Sequence, residues 1–290
     1  MEHWKTIACH SDEVRAVICK ITEQLELSSD LRRILDVAGE WHDAGKSHFA
    51  FQMKIRSDCE RPARNDLAKA PRDCWLPRGA LNGVSAPAAD GSRQVIDNRR
   101  GFRHELASVM AVYAVLEMFA PGHPALLGDW LEYLEASGRP HRDLPVTAAV
   151  PQSVQRLLAC SADEFNLVAW LIGTHHGKVR LSLQSSPSDQ DYRDLDHRGL
   201  PIRGVREGDQ LPAIAVSRDG GLLPELTLRL DPAAIGLSPN TGPSWRDRGT
   251  EVLQRFGPCG IAYLEAIMRA ADRRASQLAT SDPALEGVVS

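Results

Sequence analysis

The chain is poor in cysteine and contains no long apolar run. Its six cysteines are Cys9, Cys19, Cys59, Cys74, Cys160 and Cys259. No C-x-x-C pair occurs, so we predict reduced, mostly buried thiols and neither a disulfide framework nor a zinc knuckle. No segment approaches the roughly 20 apolar residues that cross a bilayer, and residues 1–30 carry no signal-peptide pattern. We therefore predict a cytoplasmic protein without a membrane segment.

An excess of basic residues is also absent. The 34 lysines and arginines are outnumbered by 38 aspartates and glutamates, which gives a formal charge of −4. Stand-alone nucleic-acid binders usually carry a basic bias, so the overall charge argues against autonomous tight binding of nucleic acid. It does not exclude an enzyme that meets phosphate groups through metal ions.

Helical periodicity dominates the chain. Apolar residues spaced three or four positions apart predict a series of amphipathic helices. These helices are expected at about 10–25, 31–41, 104–119, 125–136, 151–159, 163–176 and 247–279. We predict a break in the last helix at Gly257-Pro258. Gly45 is expected to stop the helix that ends at His42-Asp43.

Two segments lack this periodicity. Residues at about 54–101 contain prolines, glycines and mixed charge, and they predict an irregular insertion. Residues at about 181–245 contain short β-like runs, Pro212–Val216 and Leu222–Leu230, between glycine and proline turns, which predict a small β-containing insertion. The simplest architecture is a single, mainly α domain over residues 1–290 that carries these two insertions.

Metal-ligating side chains recur at the ends or on the faces of the predicted helices. One potential ligand set is His10, His42, Asp43 and Asp272, and a second is His104, His175 and His176. Imidazole and carboxylate groups are the ligands of hydrolytic transition-metal centres. Any one of these residues alone is explained at least as well by a structural role, but their joint placement predicts one metal site.

Hydrolysis of a phosphodiester needs an activated water, charge neutralisation and support for the leaving oxygen, which two metal ions about 3.5–4 Å apart can supply. Asp43 is short enough to bridge both ions. Lys46 could stabilise charge that develops on the phosphoryl group, although a lysine at a helix C-terminus is also a common structural feature. We predict two divalent metal ions, with Mn, Ni, Co, Fe and Mg all compatible with the ligands.

Basic residues flank the ligand clusters although the overall charge is negative. If the ligands converge, these cations would surround the same cleft and hold a phosphate backbone, whereas a solvated helix end is the simpler explanation for any one of them. The predicted DNA contacts are Arg99, Arg100, Arg103, Lys178, Arg180 and Arg273. Trp41, Phe49 and Phe51 could stack on bases, but we expect them in the core.

The order of these motifs resembles a known family. The series is His10, His-Asp-Ala-Gly-Lys at 42–46 with Phe-Ala-Phe-Gln after it, Arg-His-Glu-Leu-Ala-Ser at 103–108, His-His-Gly at 175–177 and Ala-Asp at 271–272. It resembles the HD nuclease domain of the CRISPR type I nuclease-helicase over nearly the whole chain. The runs Ile-Arg-Gly-Val-Arg-Glu-Gly-Asp and Gly-Pro-Ser-Trp-Arg within 202–246 further resemble subtype I-G (formerly I-U). In that subtype the HD domain follows the helicase, so the chain is either a natural subunit or an excised domain.

The resemblance implies an HD-domain helical bundle with a dinuclear centre and nuclease activity on single-stranded DNA. Proteins of that family nick and then degrade the strand that a CRISPR RNA-guided surveillance complex displaces. Their metal ligands fall on the two ligand sets given above, with Asp43 shared, and Lys46 would assist catalysis. No G-x-x-x-x-G-K-[ST] motif is present, so a superfamily 2-type helicase domain or subunit is the expected partner.

Two other functions remain open. An HD-superfamily phosphohydrolase of nucleotides or cyclic nucleotides would use the same ligands in a closed pocket, whereas polymeric DNA needs an open groove. A non-catalytic docking domain would use the 181–245 insertion to bind the surveillance complex, although such a domain has no need of a complete ligand set. The leading hypothesis is a metal-dependent single-stranded DNA endonuclease and exonuclease of CRISPR type I interference.

Overall fold

The computed structural model describes residues 3–77, 101–128, 130–138, 149–192, 197–278 and 282–285, together with Arg99 and two short strands at 85–87 and 93–95. This described part contains eight α-helices and four two-stranded sheets, so the predicted mainly α fold is confirmed. The helices are α1 (Ile7–Gln24), α2 (Ser29–Trp41), α3 (Phe49–Gln52), α4 (His104–Phe119), α5 (Trp130–Ala136), α6 (Gln152–Leu158), α7 (Ala162–Thr174) and α8 (Trp245–Ala275).

Helix α4 forms the centre of the core. Residues 105–116 of this helix are all buried, as expected for a helix that is apolar on every side and surrounded by other elements. It packs against α7 and against the short 3-10 helix Ala44–Ser47. Helix α2 packs on α1 and α7, and α8 packs on the same two helices. The ends of these helices are therefore held near one another.

The break predicted in the last helix is confirmed. Gly257 has a φ angle of 67° and a ψ angle of 163°, which interrupts the helical backbone inside α8. A positive φ carries little penalty for glycine, and Pro258 has no N–H group to donate to the preceding turn. The segment of α8 after the break runs to the metal-ligand candidate Asp272.

The first insertion is more ordered next to α1 than the sequence predicted. Strand β1 (Lys5–Thr6) pairs antiparallel with β2 (Leu67–Lys69), so the insertion returns to the start of α1. The other pairs are β3 (Ser85–Pro87) with β4 (Arg93–Val95), β5 (Gln210–Leu211) with β6 (Leu226–Thr227), and β7 (Leu237–Ser238) with β8 (Gly242–Pro243), all antiparallel. β2 is buried rather than part of a peripheral loop, which brings its lysine towards the ligand clusters.

The second insertion contains the predicted β-structure in shorter pieces. An isolated bridge joins Ala215 of the first predicted run to Leu222 of the second, whereas β5, which pairs with β6, lies just before the first run. A buried carboxylate of α2 joins this insertion and α6 to α2. Glu40, which is fully buried, accepts hydrogen bonds from the Arg156 guanidinium and from Ser217 Oγ. This contact fixes α2 directly before its ligand-bearing end.

Two expectations need correction. Gly45 does not stop α2, which ends at Trp41; it lies inside the 3-10 helix, where the first turn of α4 comes too close for a side chain. The thiols are less buried than expected. All six cysteines are unpaired, and Cys9, Cys74 and Cys160 are buried, but Cys19 and Cys259 are exposed.

Glu117 provides a test of how burial affects stability. Burial raises the pKa of this α4 carboxyl to about 7, against the opposing charge of Arg229, which lies 3.9 Å away. A carboxyl whose folded pKa exceeds its unfolded value costs stability as pH rises from about 4.5 to about 7. We expect Glu117→Gln to stabilise the protein at pH 8 by about 1–2 kcal/mol. This is less than the free energy that corresponds to the whole pKa shift, because solvent screens the charge of Arg229.

The measurement is thermal unfolding of both proteins at pH 4.5 and pH 8. The gain should correspond to roughly 2–4 °C for each kcal/mol, and it should shrink towards pH 4.5, where the glutamate is protonated in the folded state and half protonated in the unfolded state. Glu132→Gln on the exposed face of α5 is the matched control and should change little. A gain of equal size at both pH values would show that ionisation of Glu117 is not its cause.

Candidate metal centre

Helix ends bring the predicted ligands to one place. His42 is the C-cap of α2, His104 is the first residue of α4, and His175 is the C-cap of α7. His10 lies in the first turn of α1 and Asp272 in the last turn of α8. His176 follows His175 directly. Since α1, α2, α7 and α8 pack together, ligand candidates far apart in sequence share one cleft.

The inner cluster is fully enclosed. The ligand atoms of His10, His42 and Asp43 all lie within 4.8 Å of one another, and all three residues are buried. The Nε2 atoms of His42 and His10 lie 3.3 and 3.6 Å from Asp43 Oδ2. Asp272 adds a second carboxylate, because its Oδ1 is 3.0 Å from His10 Nε2.

The outer cluster is more open and shares Asp43 with the inner one. The ligand atoms of His104, His175 and His176 also lie within 4.8 Å of one another, and His176 is exposed. Nε2 of His104 is 3.3 Å from Asp43 Oδ1. The two oxygens of one carboxylate therefore face different clusters, the geometry that a bridging ligand requires.

Hydrogen bonds orient the histidines towards the cleft. The Nδ1–H of His42 donates to the Gly39 carbonyl at 2.8 Å, and that of His175 donates to the Ile172 carbonyl at 2.6 Å. Because Nδ1 carries the proton, Nε2 offers its lone pair to the cleft.

These lone pairs have no partner in the described part of the chain. Nε2 of His42, His104 and His175, and Oδ1 of Asp43, are buried without a hydrogen bond there. Buried polar atoms are normally satisfied, so the site fits metal ions that these atoms would coordinate.

The protonation states of the outer cluster and of Asp43 also suit a cation. Burial, reinforced by neighbouring histidines, lowers the pKa of His175 well below its usual value and that of His176 to about 4. Neutral imidazole is the form that binds metal. Burial alone would raise the pKa of Asp43, but His42, Lys46 and His104 outweigh it and hold that pKa well below its usual value. The candidate bridging carboxylate is therefore ionised.

Lys46 is buried beside Asp43 and does not lie at a solvated helix end. It is 5% exposed, and its Nζ lies 2.6 Å from Asp43 Oδ2. The same Nζ is 5.5 Å from the centre of the Phe51 ring. Trp41 and Phe51 are buried, so they belong to the core and do not offer a surface for base stacking.

Glu105 is a site residue to which the sequence analysis gave no role. Its carboxylate is 1% exposed, and Oε2 lies 3.5 Å from Nδ1 of His104. Carboxylates commonly orient a ligating histidine through its second nitrogen. The dipeptide His-Glu at the start of α4 carried this signal, but helical periodicity did not show that both side chains turn inwards.

Lys69 is a second residue that the sequence analysis missed. From β2 its Nζ reaches to 3.6 Å from Asp272 Oδ1 and donates to Ser276 Oγ at 2.9 Å. Burial, and then the charge of Lys46, lowers the pKa of Lys69 to about 8. Nothing in the local sequence marks this lysine, because the β1–β2 pairing alone brings it to the cleft.

We expect Lys69→Met to bind divalent metal about tenfold more tightly than the unaltered chain, because a competing cation beside Asp272 is removed. The metal-free protein should become less stable, since the buried carboxylates lose a counter-charge. Calorimetric titration with Mn²⁺ and thermal unfolding in EDTA measure the two effects. Lys20→Met, on the exposed face of α1, is the control. Weaker metal binding by Lys69→Met would show that Lys69 does not compete with the metal ion for Asp272 and that it only supports the site.

The predicted DNA contacts divide into three groups. Arg99 is a wrong prediction, because it is 4% exposed and both terminal nitrogens bind the Asp209 carboxylate at 2.7–2.8 Å. Arg100 lies outside the described residues. The others are exposed or partly buried and lie close to candidate ligands along the chain: Arg103, Lys178, Arg180 and Arg273. Arg180 also forms an ion pair with Glu265.

A helical core that gathers histidines and aspartates from helix ends around a His-Asp pair defines the HD class of metal-dependent phosphohydrolases. A family model described as "Cas3, HD domain" matches residues 1–234. The chain therefore belongs to the Cas3 HD-domain family, whose members are CRISPR-associated HD nucleases. No curated protein and no solved structure matches the chain.

The family match ends before α8. Asp272 thus lies beyond the matched residues, and the contact of its carboxylate with His10 is what places it in the site. The likeness to subtype I-G is not tested by the family match and stays a prediction. Among the helices of the described residues, none has the length and apolar character that crossing a membrane would need.

Proposed function

We propose that this chain is a metal-dependent nuclease that hydrolyses phosphodiesters of the displaced single DNA strand in CRISPR type I interference by a two-metal mechanism. The main support for this proposal is the position of Asp43, whose Oδ2 faces His10 and His42 while its Oδ1 faces His104. When bound, two divalent ions would supply an activated water and Lewis-acid stabilisation of the phosphate.

The residues of the chain would have distinct roles. His10, His42, Asp43 and Asp272 would hold one ion, and His104, His175 and His176, with Asp43 shared, would hold the other. Lys46, beside Asp43, would neutralise charge that develops on the phosphate during bond cleavage. Glu105 would keep the His104 ring in its ligating orientation.

An open outer cluster favours a polymeric substrate. His176 and the following Lys178 and Arg180 are exposed, so a strand could pass across the cleft without entering a closed pocket. Exposed cations beside a metal centre suit a phosphate backbone. The partners proposed with this substrate are a superfamily 2-type helicase, which would supply single-stranded DNA, and an RNA-guided surveillance complex.

The test uses the metal-stripped chain with circular single-stranded DNA while Mn²⁺, Ni²⁺ and Co²⁺ are titrated. We expect metal-dependent linearisation followed by shortening, because a circle has no ends for an exonuclease to attack first. Nucleoside monophosphates and cyclic nucleotides are assayed in parallel. Turnover of nucleotides with intact circles would favour the small-molecule phosphohydrolase. Tight metal binding without any hydrolysis, and partner binding unaffected by EDTA, would favour the docking domain.

A further inference from the structure

Lys54 lies beside the outer cluster, two residues after the end of α3. Its Nζ is 5.8 Å from the centre of the Phe51 ring and 5.6 Å from the centre of the Phe102 ring. It also donates a long hydrogen bond of 3.4 Å to the Phe102 carbonyl. The Phe51 ring is in turn 5.5 Å from the His104 ring. A single aromatic ring therefore separates this ammonium group from a candidate metal ligand.

Arg103 adds a second positive charge beside this group, because it directly follows Phe102, whose ring and carbonyl Lys54 contacts. It directly precedes His104 and is half-buried, and its backbone N–H donates to the Arg203 carbonyl at 3.0 Å. Burial, and then the charge of Arg103, lowers the pKa of Lys54. The two cations are thus close enough to disfavour each other.

No carboxylate within the described residues forms an ion pair with Lys54 or Arg103. Glu105, the carboxylate whose charge acts on Lys54, is buried and turned towards His104 Nδ1 at 3.5 Å. Arg180, in contrast, has a carboxylate partner in Glu265. Like charges held together in partly buried positions disfavour each other's charged form, and such arrangements cluster at functional sites.

The groups around Lys54 and Arg103 indicate which kind of ligand the two residues would bind. A lysine stem lying on aromatic rings with its head in water is an ordinary surface arrangement, and it would account for Lys54 alone. It does not account for a second unpaired cation beside it and beside the metal ligands. Phe51 is only 7% exposed, so a base cannot stack there. An anion with tetrahedral oxygens suits an ammonium and a guanidinium group together.

We propose that Lys54 and Arg103 form a phosphate-binding subsite that holds a backbone phosphate flanking the one at the metal centre. This inference rests on the proposed function, since its ligand is the polynucleotide strand. Lys46 and Lys54 contact the same Phe51 ring, at 5.5 and 5.8 Å. The scissile phosphate is positioned by Lys46, and the flanking phosphate by Lys54 and Arg103. A mononucleotide cannot occupy both positions.

The test compares two substrates of the Mn²⁺-loaded protein: a single-stranded DNA oligonucleotide and bis(p-nitrophenyl) phosphate, which has one phosphate. Lys54→Met and Lys54→Met/Arg103→Met keep much of the apolar volume of each stem, and Lys20→Met is the control. We expect the double variant to lose about tenfold or more in kcat/KM on DNA, mainly through KM, and far less on the ester. The salt dependence of DNA binding, measured in EDTA, should weaken by about 0.7 in log–log slope for each lost contact.

The possible results distinguish failure of the subsite from failure of the proposed function. Equal losses on both substrates would mean that the two residues only support the fold, and this would overturn the subsite. Unchanged DNA kinetics with an unchanged salt slope would overturn it as well. If the unaltered chain cleaves the ester but no DNA, the proposed function fails. The salt slope of binding still judges the subsite in that case, because it does not depend on turnover.

Discussion

Replacing Asp43 with asparagine should remove metal binding from at least one of the two clusters and lower the rate of DNA cleavage by about a thousandfold or more, roughly 4 kcal/mol of transition-state stabilisation. Asparagine keeps the size of the side chain but offers one acceptor oxygen, and its NH₂ group donates. It can serve at most one cluster, whereas Asp43 faces both, at 3.3 Å from His42 and from His104. The substitution also leaves Lys46 without the carboxylate that it contacts.

Metal content after dialysis against Mn²⁺ and cleavage of circular single-stranded DNA measure this effect. His176→Ala should lose less than Asp43→Asn, because its exposed imidazole belongs to the outer cluster alone. Asp58→Asn, an exposed aspartate paired with Arg56, is the control and should behave like the unaltered chain. If Asp43→Asn retained two ions for each chain, the shared role of this carboxylate would be refuted.

The parts of the fold that the sequence predicted are those determined by local pattern. Apolar spacing located α1, α2, α4, α7 and α8, and their boundaries agree within a few residues. Residues at a helix end have their side chains directed by the last turn, so the candidate ligands on α2 and α7 could be named in advance. The stacking of the helices then brings these ends together.

Contacts made by the insertions could not be predicted in this way. Arg99 and Asp209 are distant in sequence, and their ion pair has no local signature, so Arg99 was assigned to DNA in error. Lys69 enters the site only because β2 pairs with β1, in a segment without regular spacing. Charge in the sequence shows that a cation is present, and only the packing shows whether it faces a carboxylate, a metal ligand or solvent.

The role of Gly45 also follows from packing, because this glycine lies where two elements that carry candidate ligands meet. Gly45 follows the His-Asp pair, and its N–H donates to Ser108 Oγ of α4 at 2.8 Å. The Ser108 Oγ lies 2.8 Å from the His42 carbonyl oxygen and 2.9 Å from the His104 carbonyl oxygen. The hydroxyl donates its single hydrogen to one of these two carbonyls. The glycine therefore sits where the elements that carry Asp43 and His104 touch. Its lack of a side chain allows the two elements to come this close.

We expect Gly45→Ala to destabilise the protein by about 3 kcal/mol or more and to weaken metal binding at the outer cluster. The added Cβ would overlap the His104 carbonyl oxygen and would lie 2.6 Å from Ser108 N and 2.7 Å from Ala107 Cβ. Most of these atoms are backbone, so they cannot move aside singly, and α4 must shift away from Asp43 as a unit.

Thermal unfolding with and without Mn²⁺, together with metal stoichiometry, tests this expectation. Gly260→Ala is the matched control, because it adds the same methyl group inside α8, where that group would meet Phe256 Cβ at an ordinary 3.5 Å. That variant should be neutral or more stable by about 0.5–1 kcal/mol, since alanine favours a helix interior over glycine. A Gly45→Ala protein as stable as this control, with two bound ions, would mean that α4 can retreat without moving His104. The spacing of the clusters would then be set by the ligands themselves rather than by the close approach at Gly45.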